Sequence, residues 1–95
     1  MATDRPLDLE GVLAFVRVVD LGSFTRAAEA LATSQAAISL RLKRLEDRLG
    51  ARLLDRTPRH VDLTRQGALF LPAARRPLDA HDSAVADAAT ALPAR

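Results

Sequence analysis

The sequence predicts a mainly α fold: a winged helix-turn-helix, made of three helices plus a short β-hairpin wing, followed by a linker or dimerisation helix. Three observations predict it. Apolar residues recur three and four positions apart in four separate stretches, the period of helices that each bury one stripe. Two of those stretches are joined by a turn of two or three residues and carry the small pair Ala27-Ala28 where they would cross. Between the third and fourth stretches, Asp55-Arg-Thr-Pro-Arg59 separates two short runs suited to strands, and its Pro58 cannot donate in a ladder.

Size and composition narrow the function classes. The chain has 95 residues, the length of one small domain. Ala supplies 19 residues and the aromatics are Phe15, Phe24 and Phe70 alone, a composition for closely packed helices. Without Cys there is no disulfide framework and no thiolate metal site, and two His are too few for a zinc centre. No metal and no cofactor are therefore expected. The polar start, Met1 to Pro6, lacks the apolar stretch of a secretory signal. The longest strongly apolar run, Val12 to Val16, is far short of the roughly 20 residues of a membrane span. A cytoplasmic protein without membrane contact is expected.

The elements follow in order. Leu9, Val12, Leu13, Val16 and Val19 draw one stripe on a first helix, which ends near Gly22. Ser23 offers a capping oxygen to a shorter second helix, with Phe24, Ala27, Ala28 and Leu31 inward. Ala32-Thr33 makes the break, and Ser34 caps a third helix in which Ile38, Leu42, Leu45 and Leu49 form the apolar line; Gly50 closes it. Strands are expected at Arg52 to Leu54 and His60 to Leu63. Thr64 caps a fourth helix, in which Leu71, Ala74, Leu78, His81 and Val85 alternate three and four apart like the seam of a coiled coil. A dimer through that seam is expected, with a bend or break near Pro77, because Pro72 and Pro77 each remove an internal donor.

Charge points to a polyanionic partner. Residues 1 to 40 carry −2 and residues 66 to 95 are balanced, whereas residues 41 to 65 hold eight Arg or Lys against four Asp or Glu, +4. A basic segment in a near-neutral chain suits a phosphate-facing surface; a solvated helix face is the plainer alternative. At 100° per residue, the face opposite the Ile38 line carries Ala36, Ser39, Leu40, Lys43 and Asp47, with Gln35 in the first turn. The first turns of a recognition helix reach base edges, where Gln can bond adenine through two atoms and small apolar groups meet the thymine methyl. Gln35, Ala36, Ser39 and Leu40 are the candidate base readers. Arg41, Lys43 and Arg44 suit phosphate contact or surface ion pairs. On the wing, Arg56 and Arg59 suit a groove or the phosphate backbone, with a structural alternative for Arg56, anchoring the hairpin to a helix carboxylate such as Glu46.

Several ordered motifs carry a resemblance: Phe15-Val-Arg-Val-Val-Asp-Leu-Gly-Ser-Phe-Thr-Arg-Ala-Ala-Glu-Ala-Leu31, Ser34-Gln-Ala-Ala-Ile-Ser39, Leu45-Glu-Asp-Arg-Leu-Gly50, Leu53-Leu-Asp-Arg56 and Val61-Asp-Leu-Thr64 with Gly67. From about residue 7 to residue 80 the chain resembles the amino-terminal domain of LysR-type transcriptional regulators. The resemblance implies a winged helix-turn-helix that binds double-stranded DNA as a homodimer through its linker helix, and a separate carboxy-terminal domain that senses a small-molecule effector. It places Gln35 and Ala36 at the base-reading start of the third helix, Thr25 and Ser34 where small hydroxyls approach the DNA backbone, and Arg59 on the wing position near the minor groove. Leu40 departs from the pattern, standing where a polar residue, often Arg, is usual. On this reading residues 1–65 are the DNA-binding domain and residues 66–95 the linker helix, with the effector-binding domain missing from this chain.

Other chemistry is set aside. No nucleophile motif surrounds Ser23, Ser34, Ser39 or Ser83, so no catalysis is expected. Gly11, Gly22, Gly50 and Gly67 are too dispersed to cradle phosphate. The rival to DNA binding is a winged-helix protein-interaction module, in which the Ala-rich seam recruits a partner helix.

Overall fold

A computed structural model of the chain describes residues 8–56 and 60–92. Its order is α1 (Leu9–Leu21), α2 (Phe24–Ala30), α3 (Gln35–Leu49), β1 (Leu54–Arg56), β2 (Val61–Leu63) and α4 (Arg65–Ala91). Each expected cap forms. Ser23 Oγ accepts from Arg26 N at 3.1 Å, Ser34 Oγ from Ala37 N at 3.0 Å, and Thr64 Oγ1 from Gly67 N at 3.0 Å. These bonds satisfy amide donors that the first turn of a helix leaves without partners. α1 and α3 stop where Gly22 and Gly50 turn left-handed, at φ 67° and 70°, a conformation with little steric cost for glycine.

α1 is the hub, packing on α2, α3, α4 and β2. Its buried set is therefore wider than the single stripe that spacing predicts. Phe15, Ala14 and Val18 are fully enclosed, whereas Leu9, first in the predicted stripe, is 54% exposed. Neighbours on several sides leave a central helix little polar face to show. Phe15 meets Phe70 of α4 with ring centroids 5.8 Å apart, and burying such a ring contributes about 2–3 kcal/mol. At the α1–α3 crossing Gly11 is buried, and a Cβ there would stand 3.2 Å from the Arg41 carbonyl oxygen.

The row on α3 packs inward as expected: Ile38, Leu42 and Leu45 are buried, while Leu49 at the end is 36% exposed. Between α2 and α3, Ala32 takes the left-handed conformation at φ 54°, and Thr33 N donates to Ala28 O. The small α2 residues Ala27 and Ala28 are buried, allowing close approach of the two helices.

The antiparallel hairpin pairs Leu54 with Leu63, Asp55 with Asp62 and Arg56 with Val61. Its first strand begins two residues later than the sequence reading places it. Glu46 Oε2 on α3 takes Leu53 N at 2.7 Å and Leu54 N at 3.3 Å, while the Arg52 and Leu53 carbonyls go to Thr64. The groups that would start the ladder are thus committed to helices.

α4 runs as one helix through Pro72 and Pro77, correcting the expected break near Pro77. Both prolines stand on the exposed side, where a carbonyl freed from the ladder can be solvated. The first half packs on the core through Gly67, Phe70, Leu71, Ala74 and Leu78. From Asp79 to Leu92 every residue is exposed, and this stretch carries Asp79, Asp82 and Asp87 with no Lys or Arg. No helix among the described residues is long and apolar enough to cross a membrane.

Candidate nucleic-acid interface

The buried Ile38–Leu42–Leu45 row fixes the rotation of α3 and thereby the side it presents. Gln35, Ala36, Leu40, Lys43, Arg44 and Asp47 are exposed, with Leu40 at 47%. The sequence-predicted readers Gln35, Ala36 and Leu40 therefore share an open surface. Thr25, at the start of α2, lies beside them: its hydroxyl donates to Gln35 Oε1 at 3.3 Å. Ser34, also exposed, has its side-chain oxygen in the helix cap. Arg41 is half-buried and flanks the face, and Lys43 pairs with Asp47 at 3.1 Å. Both members of that pair are about two-thirds exposed, so the bond is weak enough to yield the ammonium to a phosphate.

Ser39 is only half-buried rather than open, because Arg56 reaches across from β1. The guanidinium carbon stands 4.2 Å from the centre of the Phe24 ring, and Nη1 donates to Ser39 Oγ at 3.1 Å. Arg56 thus ties the hairpin to α2 and α3 at once. The structural alternative read from sequence has the right residue and the wrong partner, since Glu46 is occupied by the Leu53 and Leu54 amides. Spacing alone gives no signal for this brace: residues 24, 39 and 56 meet only after the hairpin folds back. Between α3 and the hairpin lies an open groove of about 720 Å³, bordered by Ser39, Lys43, Asp47, Arg52 and Arg56. Arg52, which the sequence reading places only at the start of a strand, bonds Leu54 O at 3.2 Å and lies 3.6 Å from Asp55. Arg59, the other wing candidate, lies outside the described residues.

The seam predicted for α4 divides. Ala74 is 1% exposed and belongs to the chain's own core, a correction to its place on a dimer seam, and Leu71 and Leu78 pack partly against that core. His81 and Val85 remain exposed. A long-range contact within the chain that spacing does not announce joins α4 to α1: Arg75 Nη2 and Nη1 donate to Asp20 Oδ1 and Oδ2 at 2.7 and 3.1 Å. These bonds from Arg75 hold the Asp20 carboxyl below its usual range, against the opposing effect of partial burial. Among the described residues there is no group of three or more His, Asp or Glu placed to hold a metal ion.

A short helix, a tight turn and a capped longer helix with a polar outer face, flanked by a two-stranded hairpin, define a winged helix-turn-helix protein. Comparison with known proteins places it more narrowly. Residues 9–68 match the description "Bacterial regulatory helix-turn-helix protein, lysR family", and the chain belongs to that family. It is similar to the transcriptional regulator CrgA of Neisseria meningitidis, 49% identical over 67 residues, covering 70% of this chain and 22% of that protein. Similarity to the regulator PtxR of Pseudomonas aeruginosa is 46% over 81 residues, 85% of this chain and 26% of the other. The chain thus spans about a quarter of the length of these relatives. Among solved structures, a C206 mutant of Corynebacterium glutamicum OxyR superposes with a TM-score of 0.87 at 33% identity, covering 95% of this chain and 29% of that one. The BenM DNA-binding domain, solved in complex with its catB site 1 DNA, superposes with a TM-score of 0.79 at 33% identity, covering 93% and 98%.

Proposed function

We propose that this chain is the sequence-specific double-stranded DNA-binding domain of a LysR-type transcriptional regulator, and that it binds an inverted-repeat operator as a homodimer. One observation carries the reading: α3 buries its aliphatic row and leaves Gln35, Ala36 and Leu40 exposed at its start, just ahead of the basic segment that begins at Arg41. That is the presentation a recognition helix needs in a major groove. A groove for a partner helix would show a row of large apolar residues, and this face shows Leu40 alone. The likeness to a family member solved on its DNA supports the same reading.

In this reading Gln35 reads adenine, held at its carbonyl end by Thr25. Ala36 and Leu40 meet thymine methyl groups, and Ser39 adds a hydroxyl. Lys43, Arg44 and Arg41 contact phosphates to either side, and Arg59 extends the contact from the wing. Residues 1–65 form the reading unit and residues 66–95 the linker helix, with the exposed half of α4, including His81 and Val85, pairing with a second copy. The activity is binding without catalysis, in the cytoplasm.

Selection from a randomised duplex library at low salt tests the proposal. A preferred inverted repeat is expected, with half-site centres about one helical turn or a multiple apart and affinity falling steeply with salt. Gln35→Ala should relax one position by about tenfold, the worth of a good base contact. Binding with neither preference nor salt dependence overturns the reading.

A further inference from the structure

The brace between the hairpin and α3 has a consequence for base recognition, resting on the DNA-binding reading above. A serine hydroxyl has two acceptor lone pairs and one proton. At Ser39 one lone pair is engaged by Arg56 Nη1 at 3.1 Å, a charge-assisted bond. Among the described residues the Ser39 proton goes to no acceptor; in particular it does not bond back to the Gln35 carbonyl one turn earlier, a frequent fate of helical serines. The guanidinium also lies over the Phe24 ring, its carbon 4.2 Å from the ring centre, a cation–π contact that the Arg fork can make while a second nitrogen donates elsewhere. Accepting from a cation also polarises the hydroxyl and strengthens it as a donor.

We propose that Arg56 is a positioning residue for Ser39: by occupying the oxygen from the protein side, it turns the single Ser39 proton outward, toward the N7 atom of a purine in the major groove. Purine N7 is the acceptor that every base pair presents in that groove. Ser39 so held presents its proton to an acceptor edge, and Arg56 sets this orientation without touching a base.

The test uses the duplex preferred by the unaltered chain, with each purine replaced in turn by its 7-deaza counterpart, which lacks N7 alone. Outside the adenine read by Gln35, whose N7 that side chain also uses, one replacement is expected to weaken binding by about tenfold, the range of a base contact, and Ser39→Ala should abolish that penalty. Arg56→Lys keeps the charge but loses the fork that reaches Phe24 and Ser39 at once; it should cut the penalty to under twofold while leaving the salt dependence unchanged, and should have no effect on the N7 penalty in the Ser39→Ala background. Arg56→Met, with helical content checked by circular dichroism, should lose the penalty likewise. A phosphate contact by Arg56 predicts the opposite pattern: Arg56→Lys near wild type, and Arg56→Met uniformly weaker with a smaller salt slope and the full N7 penalty. That pattern, or the lack of any N7 penalty outside the Gln35 position that Ser39→Ala removes, overturns the proposal while leaving DNA binding intact. Absence of any preferred duplex overturns the DNA reading itself.

Discussion

Gly67→Ala is the sharpest perturbation of the fold. In an exposed helix the change would stabilise by up to about 1 kcal/mol, from propensity alone. At Gly67 the added Cβ would collide with the Leu53 carbonyl oxygen and approach the Leu53 carbonyl carbon and Leu63 Cδ2 at 3.0 Å. The carbonyl cannot swing aside freely, because it accepts from Thr64 N at 3.0 Å. α4 must therefore retreat from the hairpin, carrying Phe70, Leu71 and Ala74 out of register with α1. Overpacking of a core costs about 1–3 kcal/mol, and a rigid backbone obstacle belongs at the upper end. The strained Thr64–Leu53 hydrogen bond adds about 1 kcal/mol. Set against the propensity gain, the net loss is roughly 2–3 kcal/mol, or a fall in Tm of about 10–20 °C for a domain of this size. Thermal and urea unfolding followed by far-ultraviolet circular dichroism measure it. An unchanged or raised Tm would refute the argument, for it would mean that α4 does not press on the Leu53 backbone. Gly11→Ala, where the nearest backbone oxygen lies at 3.2 Å, is the matched control and should shift stability by less than about 1 kcal/mol, the neighbour giving by a few tenths of an ångström.

Three further outcomes are expected. Glu46→Ala should destabilise by about 1–3 kcal/mol in urea unfolding, since it strips the partner from the Leu53 amide in a buried residue; Glu46→Gln, which keeps an acceptor oxygen, should recover part of the loss. Arg75→Met should lower stability near neutral pH by no more than about 1 kcal/mol, because both partners are more than a third exposed. As the bond from Arg75 depresses the Asp20 carboxyl, its contribution is complete above the unfolded carboxyl value of about 4 and is lost as pH falls through the lower folded value; unfolding curves of the two proteins should converge in that acid range. Pro77→Ala restores a donor toward the Ala73 carbonyl in the middle of α4 and should raise helical content and Tm, by up to about 3 kcal/mol of helix propensity; a lower Tm would show that the proline ring itself is packed.

The parts of the fold that depend on neighbours in sequence are legible without coordinates. Caps at Ser23, Ser34 and Thr64, the glycine stops at Gly22 and Gly50, and the α3 row act within one or two turns, so spacing reveals them. Contacts between remote segments are not legible. The prominence of Phe15 follows from α1 having neighbours on several sides, which a one-stripe pattern cannot convey. The start of β1 at Leu54 is set by a carboxylate eight residues back, and Arg75 finds Asp20 only because α4 returns along α1. At the candidate interface the exposure of Gln35, Ala36 and Leu40 follows from helical period alone. The commitment of Arg56 to Ser39 and Phe24 requires three elements already in place. Ala74 shows the complementary error: a heptad-like spacing identifies an apolar side but not whether the surface covering it comes from another molecule or from the same one.

The uneven distribution of charge along α4 has a physical consequence for encounter. Gly67 sits against the hairpin, and at 1.5 Å per residue Leu92 is some 37 Å farther along the axis. Three aspartates lie in that outer stretch, whereas the hairpin, with Arg56, lies at the near end. The chain is electrically polarised along its length, and near a polyanion such a body experiences a torque as well as an attraction. It tends to arrive with the hairpin end leading and the acidic rod trailing, so that fewer collisions are spent in the wrong orientation at low ionic strength.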